Sequence, residues 1–149
     1  MILDDFKVFP ATGVLLGIDW GARRTGVAVS DPSRELVFVR AGIVAKELTE
    51  LIDNIVRLVQ ETRAVGVIIG LPLRMDGTES ETTTYVREFA DALARHVDLP
   101  IAFVDETLSS ITAQDEMGQV SRADIKRELD SNAARVILEN AIAIIRRAQ

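Results

Sequence analysis

The stretch Leu16-Gly17-Ile18-Asp19-Trp20-Gly21-Ala22-Arg23-Arg24-Thr25-Gly26-Val27-Ala28-Val29-Ser30-Asp31 decides how the chain is read. An apolar strand, Val14 to Ile18, delivers one carboxylate, Asp19, to a glycine-containing turn, and a second apolar strand, Val27 to Ser30, follows. An aspartate at the end of a hydrophobic strand is costly unless it is solvated, paired or metal-bound. Gly21 and Gly26 let the backbone turn tightly and leave space beside that carboxylate. On this stretch alone a hairpin whose aspartate caps the turn is an equally good account. Carboxylates further along the chain tip the balance.

Working outward, three strands are predicted over Val14–Asp19, Gly26–Ser30 and Leu36–Val44, too closely spaced for intervening helices and therefore an antiparallel meander. A helix is predicted from about Lys46 to Arg63, with Leu48, Leu51, Ile52, Ile55, Val56 and Val59 at helical spacing. Val65-Gly66-Val67-Ile68-Ile69 is apolar throughout and reads as a central parallel strand covered on both faces. After the loop Gly70 to Gly77, Thr78 with Glu81 has the spacing of a capping box for a second helix. Tyr85, Phe89, Ala92 and Leu93 form the inner stripe predicted for that helix. A strand over Ile101–Val104 runs into Asp105-Glu106. A short helix, Leu108–Met117, a loop around Gly118 and a last helix from Arg122 to about Arg146, capped by Ser121 with Asp124, complete the pattern. The order β-β-β-α-β-α-β-α-α predicts an α/β fold on a mixed five-stranded sheet, a three-strand antiparallel meander plus two parallel strands. Residues 1–13 read as a loosely attached lead-in, and residues 14–149 as a single domain.

Composition narrows the function. The chain has 149 residues, 48% hydrophobic and 27% charged, which suits a globular domain with a real core. It contains no cysteine, which excludes disulfides, thiolate zinc sites and cysteine nucleophiles, and one histidine, too few for a histidine metal site or a Ser-His-Asp triad. His96 follows Arg95 near a helix end and reads as structural. Met1 to Pro10 lacks the apolar run of a signal peptide and no stretch is long enough to cross a bilayer, so the expected location is the cytoplasm, away from membranes. A net charge of −6 argues against a generic nucleic-acid binder but not against a metal-dependent nuclease, whose clustered acids are reversed in sign by bound cations.

The carboxylates are predicted to converge. In open α/β sheets, ligands gather beyond the carboxyl ends of strands where strand order reverses. The first and fourth strands are expected to be neighbours at such a point, bringing Asp19 near Asp105 or Glu106. On the last helix, Ala134, Ile137, Leu138, Ala141, Ile144 and Ile145 form the packed face, and Asp130 falls on it four residues before Ala134. A helix break capped by Asp130 is the alternative. Acids without histidine or cysteine suit Mg²⁺ or Mn²⁺, and two such ions about 3.5–4 Å apart support phosphodiester hydrolysis. Arg23, Arg24, Arg74, Lys126 and Arg127 lie in or beside the loops expected there and are candidate phosphate contacts.

Taken together, Gly17-Ile18-Asp19-Trp20-Gly21, Thr25 to Asp31, Ile69 to Thr78, Val104 to Ser110 and Leu129 to Leu138 resemble, in order, the YqgF-type family of the ribonuclease H-like superfamily. That family is described as pre-16S ribosomal RNA nucleases and earlier as Holliday junction resolvases. The resemblance implies a ribonuclease H-like fold with helices on both faces, and catalytic acids at Asp19, at Glu106 with Asp105 beside it, and at Asp130. It implies metal held by Asp19, Glu106 and Asp130. It also implies processing of the 5′ end of precursor 16S rRNA during ribosome biogenesis, on pre-ribosomal particles, or else cleavage of branched DNA, as a monomer or homodimer. A non-catalytic nucleic-acid-binding module is the remaining alternative. Two positions depart from the family's habit. Thr107 stands where an arginine usually follows the Asp-Glu pair, and Trp20 stands where phenylalanine or a smaller residue is usual.

Overall fold

Among the described residues, five strands and three α-helices carry the chain: β1 (Leu15–Asp19), β2 (Arg24–Ser30), β3 (Val37–Val44), α1 (Leu48–Thr62), β4 (Gly66–Leu71), α2 (Glu81–Ala94), β5 (Ile101–Asp105) and α3 (Arg122–Ala148). They belong to a computed structural model that describes residues 1–3, 5–106 and 122–149, with the side chains of residues 122–131 outside the description. The expected helix over Leu108–Met117, the loop around Gly118 and the Ser121 cap therefore lie outside the described residues.

The sheet order is β3-β2-β1-β4-β5. The turn after β1 leaves no room for a crossover, so β2 pairs with it antiparallel, and β3 pairs antiparallel with β2 in turn. Helices follow β3 and β4, and each crossover returns the chain parallel: β4 lies against β1, and β5 against β4. The mixed five-stranded sheet expected from the sequence is thus the sheet found, with β1 and β4 side by side. Alternate residues of β1 face opposite layers. Leu16 and Ile18 enter the core under α1 and α2, while Leu15 enters the core under α3. Gly17 also faces α3, because a Cβ there would lie 2.7 Å from Leu138 Cβ and 2.9 Å from the Ala134 carbonyl oxygen.

Local details differ from the sequence reading, each for a physical reason. The second helix is capped by Ser80, not Thr78: the Ser80 N–H donates to the Thr83 hydroxyl at 2.9 Å, and the Thr83 N–H donates back to Ser80 Oγ at 3.4 Å. Thr83 also donates to the Pro72 carbonyl, tying the helix start to the end of the β4 strand. Thr78 is unavailable as a cap because its N–H and hydroxyl both donate to Asp76 Oδ1, at 3.0 and 2.6 Å. Tyr85, expected in the inner stripe, is 47% exposed, and Val86 and Ala90 are buried with Phe89, Ala92 and Leu93. On α1, Leu48 is likewise exposed and Leu58 joins the buried face. His96 is structural as expected, its Nδ1 bonded to the Ala92 carbonyl at 2.8 Å.

The first residues are not loose. The Leu3 N–H donates to the Ile101 carbonyl at 2.7 Å and the Ile101 N–H to Met1 at 2.8 Å, so this segment covers the exposed edge of β5. Phe9 is buried in the core under α3, and Gln149 Nε2 donates to its carbonyl at 2.7 Å. At the same end of the sheet Arg34 is 4% exposed in a left-handed conformation, φ 62°. Its Nε donates to the Gly13 carbonyl at 2.8 Å, and Arg146 Nη2 donates to the Arg34 carbonyl at 2.8 Å. Burial first, and the neighbouring Arg146 second, lower the pKa of Arg34. No sequence pattern announced this arginine.

The contact at Gly17 sets how closely α3 rides on the sheet. Gly17→Ala should cost about 1–3 kcal/mol, the usual penalty for overfilling a packed core, read as a lower urea midpoint at unchanged slope. An unchanged midpoint would show that α3 shifts freely.

Candidate active site

Asp19, half-buried, ends β1, and alternation places it on the α3 face two residues beyond Gly17. Ile18 pairs with Ile69, so the next position across from Asp19 on β4 is Gly70. Gly70 also faces α3: a Cβ there would meet Ile137 Cδ1 at 2.4 Å and Glu106 Cβ at 3.3 Å. Glu106 therefore leans over Gly70 from the β5 side while Asp19 stands on the β1 side. Their backbones are two strand spacings apart, roughly 10 Å, with no side chain on the strand between them. A ligand or ion could settle in that gap between two carboxylates.

The same register separates the two acids that the sequence left undecided. Asp105 pairs with Leu71, which is buried under α1 and α2, so Asp105 stands on that other face and is exposed. Glu106, not Asp105, shares the face of Asp19. The backbone of α3 brings Asp130 toward the same strand ends. The helix terminus lies at the opposite end of the sheet, where Gln149 meets Phe9 and Arg146 meets Arg34, and Ala134 already sits over Gly17. The side chain of Asp130 is outside the described residues, as are those of Lys126 and Arg127. Among the described residues no three acidic or imidazole side chains form a metal-binding group.

The candidate cations divide. Arg23 is exposed in the turn between β1 and β2. Arg24 lies against β3, where a Cβ on Gly42 would meet its Nε at 2.6 Å, and that buried Nε has no hydrogen-bond partner. Arg74 follows the carboxyl end of β4 in a tight hairpin. The Arg74 N–H donates to Thr78 and the Gly77 N–H to Arg74, both at 2.8 Å, with Gly77 at φ 84°, a conformation that favours glycine. Arg74 Nη1 donates to the Glu79 carbonyl at 3.0 Å, which holds the guanidinium at the hairpin surface.

On the opposite face from Asp19, Trp20 stacks with Tyr85, ring centroids 5.9 Å apart and planes 22° from parallel. The sequence reading missed this pair because it placed Tyr85 in the core. The readable signal was Glu81 one helical turn before it, to which the Tyr85 hydroxyl donates at 3.2 Å.

A family model, RuvX, described as Holliday junction resolvase, matches residues 13–143. A Maridesulfovibrio salexigens protein named "Putative pre-16S rRNA nuclease" is 40% identical over 131 residues, 87% of this chain and 97% of its own length. A Rhodopseudomonas palustris protein of the same name is 40% identical over 136 residues, covering 90% of this chain and 83% of its own. Among solved structures, Thermus thermophilus RuvC in complex with a Holliday junction substrate superposes with a TM-score of 0.59 at 13% identity, over 91% of this chain and 97% of that one. The fowlpox virus Holliday junction resolvase superposes at 0.55 with 10% identity, over 89% and 99%. At such identities the likeness is one of fold, and that fold is the ribonuclease H-like one expected from the sequence.

Acid should loosen the hairpin that presents Arg74. The Thr78 hydroxyl first, and the Thr78 N–H second, lower the pKa of Asp76 below the usual carboxylate range. A depressed folded pKa means that the turn's support is complete above the unfolded value and is lost as pH falls through the folded one. Protection of the Gly77 and Thr78 amides, with exchange corrected for its intrinsic pH dependence, should therefore fall on acidification below the ordinary aspartate pKa. Asp76→Asn should show fast exchange already at neutral pH, and equal exchange in both proteins would dissociate Asp76 from the hairpin's order.

Proposed function

The chain belongs to the RuvX family, and from that premise we propose that it is a metal-dependent nuclease that trims the 5′ end of precursor 16S rRNA, acting in the cytoplasm on pre-ribosomal particles. One observation carries the catalytic part: Asp19 and Glu106 share the α3 face across a glycine, in a chain with no cysteine and one histidine. Two carboxylates flanking a gap that no intervening side chain fills fit hard divalent cations, and among the described residues no softer donor is at hand. Asp19 and Glu106, with Asp130 from α3, would hold Mg²⁺ or Mn²⁺, and two such ions would offset the charge of these three acids. Such ions supply an activated water and stabilise the leaving oxygen.

The remaining roles fall to the chain's own groups. Gly70 keeps the floor between the acids open so that a phosphodiester can approach them. Asp105 faces away and serves the solvated surface instead. Arg23 and Arg74 stand in the loops at the strand ends and take the phosphates flanking the cleaved bond, with Lys126 and Arg127 extending that rim along α3. Arg24, packed on β3, contributes to the fold and not to the rim. The names of the relatives support ribosomal RNA as substrate. The family's description and the fold shared with RuvC support a second reading, a junction resolvase, which would require a two-fold dimer to place two sites on opposed strands.

Labelled precursor 16S rRNA and a four-way DNA junction, incubated in parallel with Mg²⁺ or Mn²⁺, test both readings. The precursor should be shortened at its 5′ end, with Asp19→Asn and Glu106→Gln each reducing the rate on the order of a hundredfold or more, and Asp105→Asn changing it by less than about threefold. Cleavage of the junction alone would favour the second reading. Equal losses from Asp105→Asn and Glu106→Gln would overturn the assignment of faces.

Mutual repulsion of the acids makes a thermodynamic prediction as well. Saturating Mg²⁺ or Mn²⁺, at about a hundred times its Kd, should stabilise the fold by about 2.7 kcal/mol and raise Tm by several degrees. Asp19→Asn should raise the Tm of the metal-free protein and remove most of the metal-dependent gain. A lower metal-free Tm with the gain intact would make Asp19 a turn residue.

A further inference from the structure

Trp20 and Tyr85 form an aromatic surface that the catalytic reading leaves unused. Both rings line an open cleft of about 600 Å³ together with Gly21, Ala22 and Thr82. Tyr85 is 47% exposed, and Trp20 is half-buried, packed on one side against the core under α1 and α2, so the pair still presents ring area to solvent. The rings are near-parallel at 5.9 Å between centroids, the offset arrangement that leaves part of each face uncovered. The Tyr85 hydroxyl donates to Glu81, which fixes the ring, and Thr82 lines the cleft beside it. Trp20 is the residue directly after Asp19, so the surface begins one peptide unit from the candidate catalytic carboxylate.

We propose that the Trp20–Tyr85 surface is a stacking subsite for an unpaired nucleobase adjacent to the cleaved phosphodiester. Trp20 packs against the core under α1 and α2 and stacks on Tyr85 of α2, whereas Asp19 follows Gly17 on the α3 face, so the two stand on opposite faces at the strand end. A single strand crossing that edge lays its phosphate against Asp19 and can turn the neighbouring base onto the indole. A paired base has its faces occupied by its neighbours in the helix, so the subsite selects single-stranded over duplex substrate. Stacking is tolerant of base identity because every base has a π-face, so the subsite contributes preference for strandedness and little for sequence. Arg23, exposed in the same turn, is placed to hold a phosphate of that strand. The identity of the ligand rests on the nuclease reading; the surface itself rests on the ring geometry.

Trp20 is the chain's only tryptophan, so its fluorescence reports the subsite without reference to activity. The full-length protein is titrated with a single-stranded oligoribonucleotide, with the same strand annealed to its complement, and with the single strand carrying abasic positions. Saturable quenching is expected from the intact single strand, with much less from the duplex or the abasic strand. Tyr85→Ala, at an exposed position, should weaken single-strand binding about tenfold and raise KM for single-stranded substrate by a similar factor while kcat changes less than about twofold. Trp20→Phe should retain most of the binding, and Trp20→Ala should lose it. Asp19-dependent cleavage of a single strand that leaves Trp20 fluorescence unaltered would overturn the subsite while sparing the nuclease reading. Quenching by single strands with no cleavage of any substrate would sustain the subsite and overturn the nuclease. Equal quenching by single strand, duplex and abasic strand would overturn the subsite, showing backbone contact without stacking.

Discussion

The distance between α3 and the sheet is the constraint on which the rest depends, and it is set by two missing side chains. At Gly17 a methyl group would strike Leu138 and the Ala134 carbonyl, and at Gly70 it would strike Ile137. With hydrogen at both places the helix settles onto β1 and β4, and Ala134, Ile137 and Leu138 become fully buried. Close packing at that interface is worth having because dispersion contacts fall away within a fraction of an ångström. The same approach carries the helix backbone, and Asp130 with it, toward the strand ends. Gly70 thus has two consequences: it admits α3, and it leaves the floor between Asp19 and Glu106 bare. Packing and chemistry cannot be tuned separately at this position.

Asp19 and Glu106 share one face of a chain already at −6, and acids so placed would oppose folding in the absence of a counterion. That opposition is local, and the central strands outweigh it. Leu15, Leu16, Ile18, Ile68 and Ile69 are fully buried, and β4 is buried along its whole length between the two helix layers. A strand covered on both faces resists local opening more than any edge does, so the carboxylates sit at the end of the most stable part of the sheet. Rigidity there matters, since a site that holds cations by charge and geometry works only if its ligands are held before the cation arrives.

The strands, the meander and the β1–β4 neighbourhood were legible in the sequence because each follows from local spacing and from loop length. The choice between Asp105 and Glu106 was not. Period-two alternation tells the face of a residue only while the strand lasts, and these two residues stand where it ends; the pairing of Asp105 with Leu71 is a long-range fact. The second helix misled for a different reason. Thr78 with Glu81 matches a capping box, but Asp76 captures Thr78 in a turn first, leaving Ser80 and Thr83 to form the cap. Competition between side chains for the same backbone donors is local chemistry whose winner depends on the neighbouring hairpin. Tyr85 was misplaced separately: it stands one position off the buried stripe that Val86, Phe89, Ala90 and Leu93 form, a distinction the packing against the sheet decides. Arg34 and the attachment of the first residues to β5 depend on partners far away in sequence, and no pattern within a window could disclose them. The side chains of Asp130, Lys126 and Arg127 remain expectations of the sequence and of the family resemblance.

What guards the site is the position of β1, more than the turn that follows it. Because side chains alternate, a slip of one residue in β1 would send Asp19 to the α2 face and Trp20 to the α3 face, exchanging the acid for an indole at the strand end. A hairpin alone resists such a slip weakly, since its turn can lengthen by a residue. Here β1 is bonded on both sides: Asp19 pairs with Gly26 across β2, and Ile18 pairs with Ile69 across β4. The partners run in opposite directions, so a slip that preserved one ladder would still break the other. Gly17 adds a third lock, because the residue opposite Leu138 has to be the one without a side chain. A one-residue shift would bring Leu16 or Ile18 under the helix, where neither fits. The carboxylate is therefore aimed by the middle of the sheet, several residues away from the strand end where it stands.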